Sequence, residues 1–250
     1  MSLPNNLKPK KNYLLSRIGK DNDGGYLVGK KNKTDNINLI SLGISNDWSF
    51  EDHFLKLYPN TKIFAFDDSL SFIWLLKKCL KNVISFIFFT CRLKILRNDF
   101  YALFFYYLVK KKINLKLKRI SYHDILKISK NKKNIQFKID IEGSEYRILE
   151  DLIKIRNKIS GIVIEFHDID IHDIDIHVEK IKNFIRKINL TLVHIHPNNY
   201  SEVDNYGNPT SIELTFEKNP VIKNQDKIKL PNPLDQEFNP KKKEYILRFR

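Results

Sequence analysis

Apolar residues recur along this chain with two alternating periods, and the alternation predicts a layered α/β domain. Short β-branched and aromatic runs with the period of strands are followed by stretches with helical spacing. We place core strands at 37–42, 62–66, 115–120, 135–141, 161–167, 190–196 and 211–216, after a short strand at 26–28. Helical patterns fill 45–58, 72–109, 121–130, 145–157 and 177–188. Strand and helix therefore alternate five times and end in a β-hairpin.

This alternation predicts an α/β, doubly wound fold. Its sheet should be mostly parallel and covered by helices on both faces, with the C-terminal hairpin making the last strand antiparallel. At 250 residues the chain suits a single domain, 1–250. We expect a helical insertion at about 70–115 and an extended C-terminal tail at about 218–250, where four prolines interrupt regular structure.

The positive charge is concentrated in one segment. The formal net charge is +15, and residues 70–135 hold 16 Lys and Arg against only Asp99 and Asp124. This distribution predicts one basic surface rather than a chain uniformly coated for nucleic acid. The same segment is very aromatic between 72 and 109, and it either lies against anionic lipid headgroups or is an ordinary helical insertion with solvated lysines. Its longest apolar runs are about ten residues, whereas a membrane span needs about 20.

The cysteines and the N-terminus bear on the compartment. Cys79 and Cys91 are the two cysteines, and they give neither a disulfide framework nor paired zinc-ligand spacing. Residues Met1 to Lys11 are polar and basic without an apolar run, so no leader segment is expected. We therefore predict a cytoplasmic protein, with peripheral contact to the inner face of the membrane as an additional expectation.

The stretch from Phe137 to Tyr146 carries the strongest local signal for a site. Its pattern changes from strand to turn to helix, with Gly143 at the turn. Asp140 and Glu142 lie two apart, so we expect them on one face of the strand's carboxyl end, where ligands bind in open α/β sheets. The alternative is that these acidic residues only cap the helix that follows.

A near-verbatim repeat places His167, His172 and His177 five residues apart among aspartates. The composition suggests a metal tract. However, a spacing of five separates successive histidines by about 140° on a helix and alternates them between the faces of a strand. We therefore do not favour metal binding by this tract, and we expect His172 and His177 to face solvent.

Seven ordered strings resemble the FkbM-type family of S-adenosylmethionine-dependent methyltransferases. They are Arg17–Gly19 with Asp23–Tyr26, Ser41–Glu51, Phe64–Asp67, Lys138–Glu145, Glu165–His167, His194–Asn199 and Glu213–Phe216. They run in the family's order from 17 to 216 and leave the basic aromatic segment uncovered. The resemblance implies the seven-stranded methyltransferase variant of the doubly wound sheet and S-adenosylmethionine as cofactor.

The resemblance also implies where the cofactor would bind. Gly43 would let the backbone approach the methionine part, and Asp67 would hold the ribose hydroxyls. The further cofactor-binding positions are Gly25, Tyr26, Ser45, Asp140 and Glu142. For 23–26 the alternative is a tight turn. Only Gly43 stands where a dinucleotide site would have Gly-x-Gly-x-x-Gly, which counts against a pyrophosphate ligand and less against a cofactor without phosphate.

The catalytic prediction is His167, Asp140 and Glu165. Methyl transfer to a sugar hydroxyl requires removal of a proton, and His167 is the first choice for the base because its ordinary pKa is near neutrality. The alternatives are a histidine that only hydrogen-bonds a neighbouring carboxylate, and a divalent metal held by these three residues, which is not favoured.

The predicted function is O-methylation of a sugar hydroxyl in glycan or polysaccharide biosynthesis, with a saccharide or a lipid-linked glycan as acceptor. This substrate class rests on the resemblance alone. The alternatives are a nucleic-acid-binding protein or RNA methyltransferase, which the basic segment suggests and the acidic strand ends disfavour, and an inactive scaffold of the same fold.

Overall fold

The computed structural model describes residues 2–45, 47–69, 72–90, 92–121, 123–169, 176–203, 209–224 and 228–249. Its strands are β1 (Ser2–Leu3), β2 (Asn12–Tyr13), β3 (Leu15–Gly19), β4 (Gly25–Gly29), β5 (Asn38–Leu42), β6 (Lys62–Asp67), β7 (Asn114–Leu117), β8 (Ile135–Ile139), β9 (Ile159–Phe166), β10 (Thr191–Pro197), β11 (Ile212–Glu217), β12 (Ile222–Asn224) and β13 (Arg248–Phe249). Its α-helices are α1 (Ser49–Leu57), α2 (Phe72–Ile87), α3 (Leu93–Lys112), α4 (Asp124–Ile128), α5 (Leu149–Lys154) and α6 (Ile176–Lys187).

A seven-stranded sheet forms the centre of the molecule. The strands lie in the order β10-β11-β9-β8-β5-β6-β7, and β11 alone is antiparallel to its neighbours. Counted within this sheet by chain order, the strands run 3-2-1-4-5-7-6. This is the doubly wound methyltransferase-type sheet with an antiparallel C-terminal hairpin, so the predicted fold class is confirmed.

Helices cover both faces of the sheet. On one face Ile135, Phe137 and Ile139 of β8 pack with side chains of α4, α5 and α6. On the other face α1, α2 and α3 contribute to a second core, together with the small hairpin formed by β3 and β4. The strand β8 is buried at every position because it is covered on both faces. The sheet edge that carries the strand ends is therefore the place left for a site.

Several predicted boundaries differ from the structure. The predicted helix over 72–109 is two helices, α2 and α3, with a break between Ile87 and Leu93. Helix α1 begins at Ser49 rather than near 45, because Asp47 accepts a hydrogen bond from the Ser49 amide at 3.1 Å, and Gly43, Ile44 and Ser45 lie in the loop after β5. The residues of that loop are consequently available to face the sheet edge.

The strand β8 ends at Ile139, two residues earlier than predicted. Asp140 and Glu142 thus lie in the loop that follows, and Glu142 has a left-handed backbone with φ of +49°. They do not share a strand face. The Glu142 side chain is 87% exposed, whereas that of Asp140 is 26% exposed.

The C-terminal segment 228–249 packs on the domain. Phe238 is buried, and Phe249 contacts the main core through the pairing of β13 with β1. Cys79 is buried, and Cys91 lies outside the described residues. Among the described residues, no helix has the length and apolar character needed to cross a membrane.

Candidate functional site

The ends of four adjacent parallel strands open onto one cavity of about 870 Å³. The residues that line it after these strands are Gly43, Ile44 and Ser45 after β5, Asp67 and Asp68 at the end of β6, Asp140, Ile141 and Glu142 after β8, and Glu165 and His167 around the end of β9. Carboxyl ends of parallel strands meet at one sheet edge, which is where open α/β sheets bind ligands. The predicted site residues that line this cavity are Tyr26, Gly43, Ser45, Asp67, Asp140, Glu142, Glu165 and His167.

Gly43 makes the close approach between β5 and β8 possible. Its φ is +74°, and a Cβ built on it would overlap the carbonyl oxygen of Asp140. The amide of Gly43 donates to the carbonyl of Phe66 at 3.0 Å, and the amide of Asp140 donates to that of Leu42 at 3.0 Å. No other residue type fits both the backbone and the space, so the loop after β5 is built around this glycine.

The Asp67 carboxylate shapes the same loop. Its Oδ2 accepts the amides of Ile44 and Ser45 at 2.8 and 2.6 Å, and its Oδ1 accepts the amide and hydroxyl of Ser69 at 2.7 and 2.6 Å. These four hydrogen bonds fill the acceptor positions of a carboxylate. A ligand hydroxyl would have to exchange with one of them. The neighbouring Asp68 is exposed and lines the cavity, and sequence analysis did not select it although it follows Asp67 directly.

The loop before β4 closes one side of the cavity. The predicted cofactor residue Tyr26 lines it, and its hydroxyl donates to Oδ2 of Asp140 at 3.1 Å. Gly25 does not line the cavity, which corrects the prediction: it packs against the guanidinium of Arg17, and Gly24 lines the wall instead. Arg17 donates to the carbonyl of Asn22 at 2.6 Å and so holds this loop.

A buried lysine lies beneath the acidic groups. Lys138 Nζ donates to the carbonyl of Gly43 at 2.6 Å and lies 3.5 Å from Asp140 Oδ2. Burial alone would lower the pKa of Lys138, but the carboxylates of Asp140, Glu51 and Glu165 outweigh it and raise the pKa. Sequence analysis missed this residue. The signal was present, since Lys138 alternates with buried apolar residues along β8 and therefore points to the opposite face.

Glu165 lies at the buried floor of the cavity. Its Oε1 accepts hydrogen bonds from Nδ2 of Asn198 at 2.7 Å and from the hydroxyl of Ser211 at 2.5 Å. Burial and the nearby charge of Asp140 raise the pKa of Glu165 to about 7, against the effect of His167 and the two hydrogen bonds. This carboxylate can therefore take up a proton near neutral pH.

His167 is held by a buried carboxylate. Its Nδ1 lies 3.1 Å from Oε1 of the fully buried Glu145, and its Nε2 lies 3.5 to 3.9 Å from oxygens of Glu142, Glu165 and Asp140. Burial would lower the pKa of His167, but the hydrogen bond to Glu145 and the charges of Glu165, Glu145 and Asp140 raise it to about 9. The histidine is thus protonated at neutral pH, which corrects the premise that its pKa is ordinary.

Asp140, Glu165 and His167 form the one group of metal-ligand type found in the part of the chain that the structure describes. One ligand atom from each lies within 4.8 Å of the others. Their positions would suit a divalent ion. Two cationic groups, the Lys138 ammonium and the His167 imidazolium, already balance these carboxylates, so the arrangement does not require a metal.

The other candidate histidines lie away from the cavity. His194 Nε2 is 2.8 Å from Asp235 and His196 stacks on Phe238, so both face the C-terminal segment. His177 is partly exposed, and its ring also stacks on Tyr146 at 3.9 Å between centroids. His172 lies outside the described residues, so the structure locates only His167 and His177 of the histidine repeat.

No protein-family model matches this sequence, and no curated protein matches it. Among solved structures, the fibrillarin pre-rRNA processing protein of Methanococcus jannaschii is 14% identical, with 84% of this chain and 85% of that chain covered and a TM-score of 0.41. TrmK of M. capricolum, solved in complex with S-adenosyl-homocysteine, is 15% identical, with 74% and 64% covered and a TM-score of 0.40. A protein of Galdieria sulphuraria described as a sarcosine dimethylglycine methyltransferase is 11% identical, with 74% of this chain and 80% of that chain covered and a TM-score of 0.39. Because these TM-scores are below 0.5, the fold and the site rest on this chain's own strand order and side chains.

Proposed function

We propose that this chain is an S-adenosylmethionine-dependent methyltransferase that methylates a hydroxyl group of a saccharide in glycan biosynthesis. The observation that carries the proposal is the cavity between the ends of β5 and β8. There Gly43 brings the backbone against Asp140, and the proton-accepting Glu165 lies on the floor. The FkbM-type resemblance supports the choice of a sugar hydroxyl.

The residues present fit this cofactor. Gly43, Ile44 and Ser45 line the cavity after β5, and this loop has no further glycine for a pyrophosphate, which is compatible with a cofactor without phosphate. Gly43, Ser45, Tyr26 and Asp140 would hold the methionine part. Asp68 would hold the ribose hydroxyls, and Asp67 would join it once a hydroxyl displaces one of the four donors to its carboxylate. When bound, S-adenosylmethionine supplies an electrophilic methyl group on a positively charged sulfur.

We infer that Glu165, rather than His167, takes the proton of the acceptor hydroxyl. Asn198 and Ser211 fix the carboxylate at the floor, and its pKa lies near neutrality. A base with such a pKa is partly ionised and still basic enough to receive a proton. His167, protonated and held by Glu145, would keep Asp140 and Glu165 in place by its charge.

The acceptor is proposed to enter past the end of β10. Tyr200 is exposed at the cavity, and Asn198 and Ser201 line the wall beside it. An exposed aromatic ring next to amide and hydroxyl groups suits a saccharide, which presents both C–H faces and hydroxyls. A lipid-linked glycan would offer the same chemistry.

RNA is the second candidate acceptor, and the basic wall of the cavity favours it. Lys118 and Arg119 are exposed and line the cavity after β7, and Lys20 lines the opposite side. Phosphate contacts by Lys and Arg give affinity that falls steeply with salt. Binding of single-stranded RNA with a steep salt dependence, and methyl transfer to it, would favour RNA over a saccharide.

Isothermal calorimetry with S-adenosylmethionine and S-adenosylhomocysteine tests the cofactor assignment. We expect saturable binding by the wild type and a loss of at least tenfold in Asp67→Ala, because two loop amides lose their acceptor. Asp52→Ala is the control, since Asp52 pairs with Lys56 on the surface of α1. Failure of the wild type to bind either compound would contradict the proposal and leave an inactive scaffold of this fold.

A transfer assay with methyl-labelled cofactor tests the acceptor. Sugar nucleotides, lipid-linked saccharides and single-stranded RNA are offered separately, with Glu165→Gln as the inactive control. We expect label in a saccharide fraction. Label in RNA alone would replace the saccharide by the second candidate.

A further inference from the structure

Helices α2 and α3 form an antiparallel hairpin whose outer end exposes large apolar side chains. We call residues 72–90 and 92–112 the helical hairpin and residues 84–90, 92 and 93 its tip. Exposed apolar residues of the tip are Ile84, Phe86, Ile87, Phe88, Phe89 and Leu93. Phe88 is 71% exposed and Phe89 is 96% exposed. Contiguous apolar surface of this kind marks an interaction site in soluble proteins.

The backbone of the tip is itself unusual. Phe89 has φ of +59°, a left-handed conformation that is an outlier for a bulky residue. The amide of Phe89 donates to the carbonyl of Phe86 at 3.0 Å, and the amide of Thr90 donates to that of Ser85 at 2.8 Å, so the turn is hydrogen-bonded. The tip is thus an ordered turn that presents two phenylalanines outward.

The base of the hairpin is anchored in the domain. Leu75 and Tyr106 are buried in the core that α1 builds, where Tyr106 lies 6.1 Å from Trp48 between ring centroids. At the tip, by contrast, the side chains of Phe88 and Phe89 are largely exposed. The hairpin therefore combines a buried base with an exposed apolar tip.

The positive charge of the hairpin favours an anionic partner. Residues 72–112 contain nine Lys and Arg and a single acidic residue, Asp99. Asp99 is buried between the helices, where Asn82 Nδ2 donates to it at 2.5 Å and Lys78 lies 3.4 Å away. Lys77, Lys81, Arg92 and Arg97 are exposed, so the outer surface near the tip is cationic. Two copies of this surface would repel each other, whereas an anionic surface would complement it.

We propose that the helical hairpin docks on an anionic lipid bilayer, with Phe88 and Phe89 inserted at the level of the headgroups and acyl-chain boundary. Apolar insertion combined with Lys and Arg at anionic headgroups is how helices bind to the surface of a bilayer without crossing it. The α2 helix of 16 residues is about 24 Å long. Because it begins just beyond Asp67, Asp68 and Ser69 of the cavity wall, a docked hairpin holds the cavity close to the membrane surface.

Vesicle co-sedimentation of the full chain tests the proposal. The vesicles are phosphatidylcholine alone and phosphatidylcholine mixed with phosphatidylglycerol, each at low and high salt. We expect binding to the mixed vesicles, at least tenfold weaker binding to neutral vesicles, and loss of affinity as salt rises. Equal binding to both kinds of vesicle, or no binding to either, would overturn the proposal.

Two pairs of variants separate the apolar and the charged contributions. F88S/F89S should weaken binding to the mixed vesicles at least tenfold, whereas V221S/I246S, which removes exposed apolar residues elsewhere, should not. K81E/R92E should weaken binding similarly, whereas K223E/K229E, which changes the net charge equally at exposed sites outside the hairpin, should not. Circular dichroism confirms that each variant is folded.

Sedimentation velocity of the wild type and of F88S/F89S tests whether the tip instead binds a second copy of the chain. A dimer of the wild type that the tip variant dissociates, without vesicle binding, would assign the apolar tip to a second copy of the chain and overturn the proposal. The vesicle assays are run without S-adenosylmethionine. The docking proposal and the proposed function can therefore fail separately.

Discussion

The α-carbon of Gly43 lies against the carbonyl oxygen of Asp140, which joins the ends of two neighbouring parallel strands. A Cβ at position 43 would overlap that oxygen, and the φ of +74° is itself unfavourable for other residues. The contact fixes the loop whose amides bind Asp67 and whose carbonyl at Gly43 accepts from Lys138. One glycine therefore determines both the shape and the electrostatics of the cavity.

Gly43→Ala should lower the free energy of unfolding by at least about 2 kcal/mol, because it adds left-handed strain to an overlap that the backbone cannot relieve. It should also abolish S-adenosylhomocysteine binding in calorimetry. Gly143→Ala is the matched control, since Gly143 has φ of +85° and its Cβ would meet only the movable carboxylate of Asp168 at 2.7 Å. Equal losses in the two variants would contradict the special role of position 43.

Glu165→Gln should reduce kcat by about a hundredfold or more, because the amide cannot accept the proton of the acceptor. In the wild type, kcat should rise as the pH increases through about 7, following ionisation of Glu165. Methyl-transfer rates between pH 5.5 and 8.5 measure both effects. Glu150→Gln, at an exposed position of α5, should leave the rate and its profile unchanged. A pH profile that survives in Glu165→Gln would assign the proton to another group.

The stability that protonated His167 gives the fold should be lost as the pH rises. Its pKa is raised to about 9 in the folded chain, above the ordinary value of 6.5, so the folded state favours the protonated form. This stabilisation is fully present below about pH 6.5 and is lost as the pH increases through 9. Thermal unfolding from pH 6 to 9.5 should show a falling Tm in the wild type.

At pH 6.5, His167→Gln should have a lower Tm than the wild type, and its free energy of unfolding should be lower by on the order of 2 kcal/mol. Its Tm should show little of the decline that the wild type shows as the pH rises. His123→Gln is the control because His123 is exposed and lies outside the cavity. A decline that persists unchanged in His167→Gln would show that other groups cause it.

The period of apolar residues was enough to predict the sheet. Strands such as β8 and β9 lie between helices in the sequence, and their buried, β-branched character follows directly from a sheet covered on both faces. The antiparallel strand β11 was predicted because the sequence between it and β10, residues 198–211, carries turn residues and no helical pattern, as a hairpin connection does. Strand ends were less accurate, because loop residues such as Asp140 continue the alternation of the strand.

The contacts within the site could not be derived from the sequence. The raised pKa of His167 comes from Glu145 on the turn after β8 and from Glu165, two residues earlier on β9. Spacing along the chain does not show that Glu145 meets the His167 ring. The contact of Lys138 with Gly43 and Asp140 is equally invisible in the sequence, because it joins residues of two different strand ends. Gly24 lines the cavity and Gly25 does not, because Gly25 packs against Arg17. No local sequence pattern encodes that packing.

The C-terminal segment should be held by a buried contact between the side chains of Asp235 and His194. Asp235 lies 2.8 Å from His194, and both side chains are almost fully buried. Asp235→Ala leaves the histidine buried without this partner and should destabilise the fold by about 3 kcal/mol, measured by chemical denaturation. Asp52→Ala, which removes only a surface pair on α1, should cost less than about 1 kcal/mol. Comparable costs would show that the pair contributes little.

Methyl transfer should not depend on a divalent metal. The carboxylates of Asp140 and Glu165 already lie beside Lys138 and His167, and an ion placed among them would have to displace the proton from His167 Nε2. We therefore expect full activity after treatment with a chelator, and no saturable heat in calorimetry with Mg²⁺ or Mn²⁺ at neutral pH. If chelation removed the activity and Mg²⁺ restored it in the wild type but not in His167→Gln, then Asp140, Glu165 and His167 would instead be assigned to a metal centre.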